Sequence, residues 1–83
     1  MNKVKARRLV RAAYNHQPNF ITPQPVDYGM AGELAWELST GPDLLGAPIW
    51  GVSVVQHGQP RRDLCNSFPT RADATAHIAT LNA

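Results

Sequence analysis

The stretch Glu33-Leu34-Ala35-Trp36-Glu37-Leu38-Ser39 decides the architecture, because its residues alternate: Leu34, Trp36 and Leu38 fall on one side, Glu33, Ala35, Glu37 and Ser39 on the other. That period of two predicts a half-buried strand. The rival reading is a helix from Asp27 to Thr40 stopped by Gly41 and Pro42. Gly29 and Gly32 early in such a helix would cost about 1 kcal/mol each, so the strand is preferred.

Working outward, Thr40 to Pro48 reads as a loop whose tip carries Leu44 and Leu45, framed by Pro42, Gly46 and Pro48. Ile49 to Gln56 reads as a central strand, with Trp50, Val52 and Val54 on one face and Ile49 and Val55 on the other. A turn around Gly58 leads to residues 61–66, whose polar composition suits a short strand at a sheet edge. Residues 33–66 thus form a three-stranded antiparallel meander.

Helices flank this sheet. Residues 3–14 place Ala6, Leu9, Val10, Ala13 and Tyr14 on one apolar stripe, while Lys3, Arg7 and Arg11 form a ridge beside it, with Arg8 nearby and Lys5 elsewhere. Residues 70–82 form a C-terminal helix: Thr70 caps it, Asp73 stands at the third position, and Ala74, Ile78 and Leu81 supply the buried stripe. Between the first helix and the sheet, 15–32 reads as a Pro-containing extended arm, since Pro18, Pro23 and Pro25 forbid a continuous helix; Phe20, Ile21, Val26 and Tyr28 pin it down as a short edge strand. The expected fold is α+β in the order α-β-β-β-α, as one domain over 1–83.

With 83 residues there is room for a single hydrophobic core. An apolar fraction of 43% and a charged fraction of 17% exclude a disordered chain or a coiled coil. The lone Cys65 permits no internal disulfide, no apolar run is long enough to cross a bilayer, and the basic start lacks the apolar stretch of a secretory signal, so a cytoplasmic protein is expected. The acid-free, Arg-rich start also invites comparison with a mitochondrial presequence, but it is poor in serine and runs into aromatic, Pro-containing sequence.

Chemistry of its own is not expected. Cys65, His16, His57 and His77 have no metal-ligand spacing, Gly29 and Gly32 lack the residues of a phosphate loop, and Cys65 has no signature of a nucleophile, so neither metal nor cofactor is called for. Glu33 and Glu37 stand too far apart on a strand for paired acid and base work and read as a solvated face.

Two kinds of binding remain. The first is docking on a larger protein through Leu44 and Leu45 with Trp36 and Trp50, a role that suits a small regulatory protein of a bacterium or a mobile element. The second is nucleic-acid binding through Lys3, Arg7, Arg8 and Arg11. The charge distribution motivates it: five cations and no acid precede Asp27, whereas from Asp27 onward three arginines face six carboxylates. No helix-turn-helix, ribonucleoprotein or Gly-X-X-Gly motif accompanies the basic helix.

Overall fold

The computed structural model describes residues 3–14, 24–43 and 45–82. The elements run α1 (Lys3–Ala13), β1 (Gln24–Ala31), β2 (Leu34–Pro42), β3 (Pro48–Gln56), β4 (Gln59–Pro60), β5 (Asn66–Phe68) and α2 (Arg71–Thr80). β1, β2 and β3 form an antiparallel meander between an N-terminal and a C-terminal helix, the α+β arrangement expected of the sequence. The alternation in 33–39 does make a strand. It extends to Pro42 and pairs with all of β3, from Leu34 opposite Gln56 to Pro42 opposite Pro48.

Three boundaries differ from expectation, the first being the loop read over 40–48, which is shorter because 40–42 and Pro48 pair within the sheet. The arm over 15–32 contains a full strand, β1, which pairs with β2 from Gln24 opposite Thr40 to Ala31 opposite Leu34. Pro25 is tolerated because β1 is an edge strand, and the register slips between Pro25 and Asp27, where a bulge absorbs the misfit. Residues 15–23, including Phe20 and Ile21, lie outside the described residues.

The expected strand over 61–66 is mostly a turn. Leu64 N–H donates to the Arg61 carbonyl at 3.0 Å and Cys65 N–H to that of Arg62 at 3.3 Å, so these amides are spent locally rather than in a ladder. A two-pronged contact of Arg61 with Asp63, at 2.9 and 2.8 Å, reinforces the turn. Pairing to β3 resumes only at Asn66 to Phe68.

Tight turns join the strands. Gly32, at φ +61, opens the two-residue connection from β1 to β2. His57 and Gly58 both adopt positive φ, 52 and 77, between the paired Gln56 and Gln59, as a two-residue hairpin of the right twist requires.

Each sheet face carries its own core. Ala35 and Val55, opposite one another, pack with Ala6 and Val10 of α1, and half-buried Tyr28, Met30, Leu9, Ala13 and Tyr14 close the edges. The other face buries Leu38, Val52 and Val54 against Ala74 of α2, flanked by Leu34, Trp36, Trp50, Phe68, Ile78 and Leu81. The face holding Glu37 and Ser39 is therefore no simple solvated surface. α1 lies over part of it, Glu37 is half-buried, and Ser39 is 6% exposed. The capping expected at Thr70 is present, its hydroxyl accepting from Asp73 N–H at 3.2 Å.

Candidate functional site

The loop between β2 and β3 is built around Asp43. Its carboxylate accepts from the amides of Leu45 at 2.8 Å and Ala47 at 2.9 Å, its own amide donates to the Ala47 carbonyl at 2.8 Å, and its carbonyl accepts from Gly46 at 3.0 Å. Gly46 sits at φ +84, a conformation that costs glycine little. A loop so closed presents its tip at small entropic cost. The tip is Leu45, 93% exposed. At the loop's base lies a recess of about 320 Å³ lined in part by Ala47, Pro48, Ile49, Phe68 and Pro69. Leu44 falls outside the described residues.

The two tryptophans are placed differently. Trp36 and Trp50 are half-buried against the core beneath α2, and neither lines the recess. The indole of Trp36 lies on Gly29 of the neighbouring strand, and the Arg71 guanidinium stands 5.6 Å from the Trp50 ring centroid. They pack the sheet, and Leu45 projects from its end.

On the other face, the basic ridge of α1 borders a groove of about 310 Å³ formed with β1 and lined by Lys3, Val4, Arg7, Arg11, Pro25 and Tyr28. Lys3 is already engaged, its ammonium 2.7 Å from Asp27, and that hydrogen bond is the main reason the Asp27 carboxyl titrates below its ordinary range. Arg7, Arg8 and Arg11 are exposed and form no ion pair among the described residues. Arg8 does not line the groove. The Tyr28 hydroxyl beneath is buried without a hydrogen-bond partner among the described residues, although Glu37 and Arg11 stand near enough to pull its proton affinity in opposite directions.

His16 lies outside the described residues, while Cys65 and His77 have structural partners. Cys65 Sγ lies 2.9 Å from the Tyr14 hydroxyl and 3.3 Å from the Val54 amide, a contact bridging 51 residues that no local spacing reveals. His77 Nε2 is 2.7 Å from the Leu64 carbonyl, and its ring lies 5.3 Å from that of Phe68. Among the described residues no group of three or more His, Cys, Asp or Glu side chains could hold a metal ion, and no helix is long and apolar enough to cross a membrane.

Both tyrosines hold their protons more tightly than the ordinary value of 10.0, Tyr14 through burial and then its hydrogen bond with Cys65, Tyr28 through burial and then its neighbour Glu37. A raised pKa in the folded state contributes stability that is complete below the unfolded value and lost as pH climbs above it. Stability is therefore expected to fall above pH about 10, with tyrosinate absorbance rising together with unfolding. Two tyrosines ionising near 10 while the fold persists would contradict this.

Comparisons with family models, curated proteins and solved structures returned no match.

Proposed function

We propose that the chain is a non-catalytic protein-docking module that engages a larger protein through the Asp43–Pro48 loop. What supports this is Leu45: a large apolar side chain 93% exposed, held at the tip of a loop closed by four hydrogen bonds and bordered by an apolar recess. An unrestrained loop would let a leucine fold back onto the recess; one fixed outward leaves its apolar surface available to a partner's pocket. The lone thiol of Cys65 supports a reducing, cytoplasmic setting. A small regulator of a bacterial or mobile-element protein fits this description.

The test is capture from an extract of the native host by immobilised chain, with a photo-crosslinker near position 45. The wild type is expected to recover a stoichiometric partner, and Leu45→Asp to weaken that recovery by about tenfold or more, with an unchanged circular dichroism spectrum. Capture indifferent to Leu45→Asp overturns the reading.

Arg7, Arg8 and Arg11, exposed and without an ion pair among the described residues, favour a second reading, nucleic-acid binding by α1. Neutralising three to four phosphates would make duplex affinity fall steeply between about 50 and 200 mM salt. Absence of binding at the lower salt eliminates it.

A further inference from the structure

The groove between α1 and β1 combines two features that seldom coincide on an inert surface. Arg7 and Arg11 stand one helical turn apart on its wall, both exposed and without a carboxylate partner among the described residues. Among the described residues three large apolar side chains are exposed, and one of them, Val4 at 82%, lines the groove together with Pro25. A guanidinium offers a planar fork of donors that matches a carboxylate, and two such forks one turn apart suit neighbouring acidic side chains.

We propose that this groove takes an acidic segment of a partner protein, with carboxylates on Arg7 and Arg11 and an aliphatic side chain resting on Val4 and Pro25. The inference rests on the docking reading above and adds a second contact with defined chemistry. Charge complementarity selects the occupant, and the surroundings argue against nucleic acid. Asp27 neutralises Lys3 at one end, so the positive field is short, whereas a phosphate track needs cations laid along its length. An exposed Val4 likewise contributes nothing to a phosphate contact and much to an aliphatic one.

The probe is a short fluorescent peptide of alternating glutamate and leucine, titrated into the full chain by anisotropy, beside its glutamine analogue and a duplex DNA. The peptide is expected to bind and the glutamine analogue to bind at least about tenfold more weakly. Arg7→Gln with Arg11→Gln should cost the glutamate peptide a similar factor. Arg8→Gln with Arg62→Gln, which removes the same charge from exposed positions off the groove, should cost much less. Val4→Ser should weaken the leucine-bearing peptide without altering helix content. Equal losses in the two double variants would reduce the effect to general attraction and overturn the proposal. Tighter binding of the duplex, lost with Arg7 and Arg11, would overturn it in favour of nucleic acid. Leu45→Asp should leave the peptide titration unchanged, so a failed groove with Leu45-dependent capture intact sinks this inference alone, and the converse sinks only the loop reading.

Discussion

Ala6→Asp is expected to destabilise the protein by about 3–5 kcal/mol, the cost of an uncompensated charge in a closed apolar site. Ala6 is 0% exposed and sits among Val10, Ala35 and Val55, where no cation can reach it without unpacking α1. An aspartate early in a helix also gains from the dipole, but only about 0.3–1 kcal/mol, and residue 6 is already near the end of the first turn. Burial wins. A chain of this size holds roughly 4–12 kcal/mol in total, so the substitution removes a large share of it. Because Ala6 and Val10 are the buried residues of α1, the helix should be the first element to leave the sheet, and the glutamate peptide's groove would go with it. Urea unfolding followed by circular dichroism reads the loss. Arg8→Asp, exposed on the same helix, should stay within about 0.5 kcal/mol of wild type. If the two variants have matching midpoints, α1 is not docked as described.

That same face marks the limit of what the sequence made legible. The alternation of Leu34, Trp36 and Leu38, the stripe of α1 and the cap at Thr70 each depend on neighbours a few residues apart, and each element forms where its period predicts. The burial of the opposite face was hidden because Glu33, Glu37 and Ser39 outnumber Ala35 in the pattern, and a buried alanine carries little hydrophobic signal. An edge strand was legible in the arm, but the length of β1 was obscured by Pro25 and Gly29, and edge position and bulge together reconcile the proline with pairing. The expected strand at 61–66 failed for the reverse reason: its polar alternation suits an edge, yet Arg61 and Asp63 bind each other and turn the chain. Of the candidate site, the Leu45 loop was readable from its framing by Pro42, Gly46 and Pro48. The groove was not, since Lys3 and Asp27 meet across 24 residues and the pairing of α1 with β1 exists only in three dimensions.

Gly29→Val opposes two rules, and its outcome tells which governs β1. By strand propensity valine should improve on glycine by up to about 1 kcal/mol, and a stiffer unfolded chain should help in the same direction. Packing argues the other way. Gly29 pairs with Trp36, whose indole lies against it; a Cβ there would fall onto Cζ2 and within 2.6 Å of Cε2, where carbon atoms normally keep about 3.5–4.0 Å apart. The ring must lift, and in doing so it gives up contact with the cluster of Leu38, Val52 and Val54. Overpacking of this kind typically costs about 1–3 kcal/mol, and a branched side chain belongs at the upper end, so the net expectation is a loss of about 2 kcal/mol and a melting temperature lower by about 8–16 °C. Trp36→Leu in the Gly29→Val background should recover part of that loss, because the two residues act through one contact and their effects cannot add. Indole emission should shift to the red in the single variant as Trp36 meets water. A melting temperature at or above wild type would mean that propensity rules this strand and that Trp36 has another seat. The glycine would then need no steric explanation.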